Sequence, residues 1–182
     1  YRVYSDSGSK MLTENSLRLI DDLKIDEIYR NSEEYAIKKA KQENLLFLQK
    51  KVNWTILRPS ITFGKNRIQL VCFEAPLILP RIKHKLAIPI PETIINKNTT
   101  LTDSDLAAKY IFVLINNPLS YGEVFNLSSG HVVSWAEVIN FYSKEFGAKF
   151  FEVDNKTFFT LHLNRYQIKY DRLLNRELSN DK

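Results

Sequence analysis

Apolar positions recur at helical spacing in three stretches of the chain and cluster into short runs between them. Residues 33–50 read as a helix with Ser32 as its N-cap. Residues 104–115 repeat the period at Leu106, Tyr110, Val113 and Leu114. In the third stretch Ser134 and Glu137 form a capping box. The helix behind it has Trp135, Val138, Ile139, Tyr142 and Phe146 as its apolar face, and Gly147 stops it. Residues 1–5 alternate like a strand end and run into the loop at Ser7, Gly8 and Ser9, after which 10–33 are polar, with one helical turn expected over 16–22. Residues 53–57 form a short buried strand that Arg58 and Pro59 stop. The apolar run 68–82 predicts a helix interrupted at Pro76, 86–95 is extended through Pro89 and Pro91, and 122–127 is a strand. From Asn155 onward the tail is basic and predicts no clear terminal element. Strands and helices alternate, so the expected class is α/β with parallel strands.

Composition narrows the function. With 182 residues, 44% of them hydrophobic, the chain can build a real core as one domain of ordinary size. No apolar run approaches the roughly 18 residues that cross a bilayer. The N-terminus has neither a Met nor the regions of a signal peptide, and reads as a strand already under way. A single cysteine, Cys72, excludes an internal disulfide, suits a reducing compartment such as the cytoplasm, and sits in an apolar stretch as a small buried hydrophobe. The net charge of +5 is uneven: between 64 and 85, Lys65, Arg67, Arg81, Lys83 and Lys85 face Glu74 alone. Such a surface suits a phosphate-bearing ligand or is simply solvated. His84, His131 and His162 are scattered, so no metal site is expected, and no nucleic-acid-binding motif is present.

The chemistry lies in Tyr35 and Lys39. Four residues apart on a helix, they share a face. A phenol with a pKa of about 10 is a poor base at neutral pH, and a neighbouring ammonium favours its ionised form. Such a pair can pass a proton in both directions.

Several segments, in order, carry a resemblance. Residues 3–9 (Val-Tyr-Ser-Asp-Ser-Gly-Ser) are similar to a strand ending in a Ser-rich loop, and Tyr35-Ala-Ile-Lys-Lys39 fits a Tyr-x-x-x-Lys helix. Residues 54–64 are close to a Leu-Arg-Pro-x-x-x-Tyr-Gly segment, with Phe63 in place of the Tyr. Residues 101–107, 122–128 and 133–137 match the segments that follow. The chain resembles the C-terminal part of an extended short-chain dehydrogenase/reductase, the NAD-dependent epimerase/dehydratase family. This implies the later part of a Rossmann-type doubly wound parallel sheet, from 1–64 and 96–128. Residues 65–95 and 129–182 then supply elements of a small substrate-binding subdomain.

By that resemblance, Tyr35 exchanges a proton with a substrate hydroxyl while Lys39 supports it and holds the nicotinamide ribose. Ser7 takes the place of the Ser or Thr that holds the substrate oxygen, with Ser5 and Ser9 as alternatives. Pro59, Ser60 and Ile61 line the nicotinamide, although Arg58-Pro59 is equally a strand terminator. Arg67, with Lys65, is the candidate for a substrate diphosphate, or else surface charge. Asp105 resembles the family's late aspartate, but the first turn of a helix explains it as well. NAD or NADP is the implied cofactor, and epimerisation of a nucleotide-linked sugar the leading activity. Carbonyl reduction is the nearest alternative. Dehydration is less favoured, because Gly8 and Ser9 follow Ser7 where a dehydratase often has Asp-Glu. A non-catalytic binding protein, for instance for RNA, is a third reading, and a homodimer is compatible with any of them.

The family's Gly-x-x-Gly-x-x-Gly loop is not found among Gly8, Gly64, Gly122, Gly130 and Gly147. Without that loop and its helix N-terminus the pyrophosphate has no cradle. Residues 1–182 are therefore expected to bind NAD(H) or NADP(H) weakly or not at all in titration calorimetry. Micromolar affinity would reveal a glycine-independent site.

Overall fold

The computed structural model describes residues 1–8, 10–161 and 164–181; Ser9 and His162, named above, lie outside the described residues. After a series of turns, a short helix α1 (Glu27–Arg30) leads into the longer α2 (Tyr35–Phe47). Strands β1 (Thr55–Pro59) and β2 (Ile61–Phe63) follow. A hairpin of β3 (Gln69–Leu70) and β4 (Phe73–Glu74) then runs straight into α3 (Ala75–Lys83). Next come β5 (Ile88–Pro91), β6 (Asn98–Asp103), α4 (Ser104–Leu114) and β7 (Glu123–Leu127). The last elements are β8 (Val132–Ser134), α5 (Trp135–Phe146), β9 (Phe150–Val153), α6 (Asn155–Leu161) and α7 (Arg165–Gln167). A π-helical turn, Ile168–Arg172, continues α7.

β1 pairs with β7 in parallel, Thr55 opposite Glu123 and Pro59 opposite Leu127. β2 runs parallel to β6, which takes β8 antiparallel, and β5 runs parallel to β9. These pairings make the chain a mixed α/β protein with parallel strands, as the alternation of elements implied. One apolar core unites the early and late segments. Val3, Ala40, Ile61, Ile78, Trp135, Phe158 and Ile168 all belong to it. No helix among the described residues is long and apolar enough to cross a membrane.

Local chemistry explains the helices that were foreseen. Ser134 Oγ accepts from the Glu137 N–H at 3.1 Å and Glu137 Oε2 accepts from the Ser134 N–H at 2.7 Å, closing the capping box of α5. Gly147 ends that helix with φ at 63°, a left-handed conformation that glycine adopts without cost. Asp103 caps α4 through the N–H groups of Asp105 and Leu106, and Asp105 stands in the first turn.

Four expectations are corrected. Residues 1–5 form no strand; Tyr4 makes a lone antiparallel bridge to Arg18, and 16–22 is a set of turns, not a helical turn. Ser32 does not cap α2, because Glu34 occupies the N-cap and accepts from the Ala36 N–H at 2.7 Å. Pro76 begins a helix and does not interrupt one: it sits in the first turn of α3, where its missing N–H has no intrahelical partner to lose. The apolar residues before it form the β3–β4 hairpin, whose turn holds Val71 at φ 54°. A β-branched residue is strained there, and full burial holds it in place.

The tail is ordered by long-range bonds that no local pattern announces. Arg176 donates its N–H to the Asn98 carbonyl at 2.8 Å and accepts from the Thr100 N–H at 2.9 Å. Its buried guanidinium binds the carbonyls of Tyr4, Ser5 and Tyr170.

Cys72 is buried beside the hairpin turn, and burial pushes its thiol up to about 12. The thiolate is the reactive species, and at pH 8 about one thiol in ten thousand carries it. Iodoacetamide at pH 8 is therefore expected to spare Cys72 in the folded protein and to alkylate it promptly in urea. Mass spectrometry of the two reactions checks this, and rapid native labelling would contradict the burial.

Candidate active site

α2 divides its residues between two environments. Ala36, Ile37 and Ala40 are buried against the core. Tyr35, Lys39, Gln42 and Leu46, at steps of three and four, line a cleft of about 810 Å³. Further lining comes from β1, including Pro59 at its end, and from Ser60, Ile61 and Thr62 beyond it. The cleft thus runs along β1 from Thr55 and past the C-terminal end of that parallel strand, the end at which open α/β sheets hold their ligands. Tyr1, Arg2 and Val3 complete the wall near Tyr35.

Tyr35 is 56% exposed, so its ring faces the cleft and not the core. The Lys39 ammonium lies 5.7 Å from the centre of that ring and donates to Gln42 Oε1 at 3.1 Å. A neutral partner leaves the lysine its charge and spare donors for a bound hydroxyl. The Arg2 guanidinium lies 5.1 Å from the same ring centre. Glu34 anchors Arg2 at 2.7 Å and accepts from the Tyr29 hydroxyl at 3.1 Å and the Asn164 amide at 3.2 Å. Burial alone would push the Glu34 carboxyl up, but Arg2, the Ala36 N–H and the Asn164 amide outweigh it and hold it below the usual range.

The predicted residues divide into two groups. Tyr35, Lys39, Pro59, Ser60, Ile61 and Arg67 share the cleft. The Ser60 hydroxyl is already engaged with Thr102 at 2.6 Å and its N–H donates to the Leu127 carbonyl at 2.9 Å, so this residue contributes to the shape of the cleft. Arg67 is largely exposed and only 3.9 Å from Glu74, a loose surface pair. Ser7 is not brought to the cleft: its hydroxyl donates to the Lys10 carbonyl at 2.7 Å in an exposed turn. Ser5 is buried and bonded to Asp22. The segment that borders Tyr35 is 1–3, so both serines fall beyond the wall where the resemblance placed them.

Arg58 has a role beyond that of a strand terminator. It is buried and donates to Glu43 on α2 twice, at 2.9 and 2.7 Å, fastening the helix to β1. Its third nitrogen reaches the Tyr4 hydroxyl at 2.8 Å and the Glu14 carbonyl at 2.9 Å. Burial pushes the Tyr4 phenol up to about 12, so it stays protonated and donates to Asn126 at 2.6 Å. Arg172, also buried, lines the cleft beside Tyr1 and Asp171. Sequence reasoning missed Arg2 and Arg172, because their partners come from distant parts of the chain.

No protein-family model matches the sequence. Over 98% of its length the chain superimposes on a dTDP-glucose 4,6-dehydratase from Streptomyces venezuelae solved with NAD, with a TM-score of 0.67 and 16% identity, and covers 49% of that structure. The chain shares the fold of the half of that enzyme which it covers. A putative epimerase from Burkholderia cenocepacia superimposes with a TM-score of 0.65 and 18% identity, over 99% of this chain and 52% of the other. A dTDP-4-dehydrorhamnose reductase from Bacillus anthracis, solved with NADP, gives a TM-score of 0.59 at 18% identity, over 86% of this chain and 50% of its own. In sequence, 112 residues are 27% identical to an (S)-8-oxocitronellyl enol synthase from Camptotheca acuminata, covering 57% of this chain and 28% of that protein. The chain therefore spans about half the length of the solved structures it matches, and less of the curated relative.

Proposed function

We propose that this chain is the catalytic-helix and substrate-binding part of an NAD(P)-dependent enzyme that epimerises a nucleotide-linked sugar. The observation that carries the reading is the presentation of Tyr35 and Lys39 by one helix face to a cleft that runs along β1 and past its C-terminal end. The cleft's walls fit the nicotinamide half of a dinucleotide: Lys39 has donors to spare, and 59–61 form a close wall at the strand end. When bound, the dinucleotide supplies an acceptor and then a donor of hydride.

Tyr35 takes the proton of the substrate hydroxyl as the carbinol becomes a carbonyl, and returns it when the carbinol is restored from the other face. Lys39 keeps a positive charge beside the phenol in both directions. Dehydration would need a carboxylic acid and a carboxylate at liberty in the cleft. Of the two acids on its wall, Glu43 is held by Arg58 and Arg18, which leaves Glu74, loosely beside Arg67, as a single exposed carboxyl and not a pair. Tyr1 and Arg2, not a pair of acids, border Tyr35.

Reduction of a carbonyl compound is the second reading, favoured by the sequence likeness to an enol synthase and the fold likeness to a reductase. The full-length protein distinguishes them when incubated with a dinucleotide and a panel of nucleotide-sugars and enals. Epimerisation gives product without net change in cofactor absorbance, whereas reduction consumes cofactor mole for mole. Turnover of neither class would overturn both readings.

A further inference from the structure

We propose that Arg2 is a positioning residue for Tyr35, fixing the orientation of the phenol in the cleft and setting a second cation against its ring. The inference rests on Tyr35 as the proton-transfer residue. It arises from a contact that neither the helix motif nor the resemblance contains. Tyr35 stands at the first position of α2 and is more than half exposed, so the core does not fix its rotamer. An open ring of this kind must be ordered before it can transfer a proton along one line, and ordering costs entropy.

Arg2 supplies that order. Its guanidinium lies 5.1 Å from the ring centre, within the range in which a cation is attracted to an aromatic face. The guanidinium is itself held: Nη2 is 2.7 Å from Glu34 Oε1, Nε is 3.7 Å from Asp171 Oδ2, and the side chain is only 16% exposed. Glu34 is fixed in turn, because it caps α2 through the Ala36 N–H and accepts from Tyr29. A chain of contacts thus runs from the π-helical turn of the tail, through Asp171, Arg2 and Glu34, to the residue that begins the catalytic helix. Asp171 is buried among Arg172, Arg176 and the Tyr1 hydroxyl, so this anchor does not drift. The planar guanidinium can stack on the ring and pair with Glu34 at once, which an ammonium cannot do equally well.

The test uses the full-length protein with 3-fluorotyrosine placed at position 35. Arg2→Gln is expected to lower kcat about fivefold to thirtyfold, the loss of a partly buried cation–π contact. KM for the dinucleotide should stay within about twofold, since Arg2 acts through Tyr35. The fluorine resonance should move and broaden, and Arg2→Lys should recover part of both effects. Glu34→Gln keeps an acceptor for the Ala36 N–H but loses the charged anchor, and should shift the resonance in the same direction. An unmoved resonance with wild-type kcat in Arg2→Gln overturns the proposal. Should Arg2→Gln fail to fold, Arg2→Lys decides it by the same two readings. Full turnover in Tyr35→Phe would instead sink the proton-transfer reading, while the resonance of Arg2→Gln still reports on the contact itself.

Discussion

Tyr35→Phe is expected to lower kcat of the full-length protein about a hundredfold to ten-thousandfold, the usual contribution of a positioned general acid–base group. The substitution removes one oxygen and leaves the ring. Arg2 and Lys39, at 5.1 and 5.7 Å from the ring centre, keep their aromatic partner. The ring is 56% exposed, so the fold loses no buried contact and the melting temperature should hardly move. Dinucleotide affinity, measured by calorimetry on the same preparation, should also stay close to wild type. A fall in kcat with affinity intact identifies an interaction made in the transition state and not in the ground state. Wild-type turnover in the Phe variant would point to another base and remove the foundation of the proposed activity.

Much of this site was legible because its chemistry is local. Tyr35 and Lys39 share a face by helix geometry alone, whereas the strand expected to stop at Arg58 and Pro59 includes both, Arg58 opposite Asn126 and Pro59 opposite Leu127. The α5 capping box and Gly147 are also local, and both are realised. What escaped depends on partners far away in the chain. Residues 1–5 read as a strand, yet a strand needs a ladder partner, and Tyr4 finds only Arg18. The hairpin of 69–74 is hidden in an apolar run that looks continuous with the helix behind it. Ser7 was placed by the likeness of 3–9 to a strand and its loop, and a shift of a few residues decides which side chains meet the cleft. That register is set by Tyr1, whose nitrogen donates to the Pro59 carbonyl at 3.0 Å and whose ring packs in the core. Neither contact leaves a mark in the local pattern.

Arg58 illustrates the same limit and gives the largest expected effect on stability. The sequence offered it, with Pro59, as a strand terminator, whereas the structure makes it the fastening of α2. Both members of the pair are buried, Arg58 to 4% exposure and Glu43 to 6%, and they bond through two parallel N–H···O contacts. Arg58→Met fills similar space with apolar atoms but leaves a carboxylate in the interior with only Arg18, at 3.2 Å, as a partner. Removing one member of a buried ion pair costs about 3–5 kcal/mol. For a chain of this size that corresponds to a fall in melting temperature of roughly 6–20 °C, at about 2–4 °C per kcal/mol. Adding Glu43→Leu should recover most of the loss, because an apolar pair of similar volume replaces a buried ion pair at little cost. Urea unfolding of the wild type, the two single variants and the double variant closes the cycle and isolates the coupling. A single-variant loss under about 1 kcal/mol, well below the buried-pair range, would show that α2 is held by its apolar face alone. If the coupling is large, Tyr35 and Lys39 owe their place in the cleft to an arginine that does not line it.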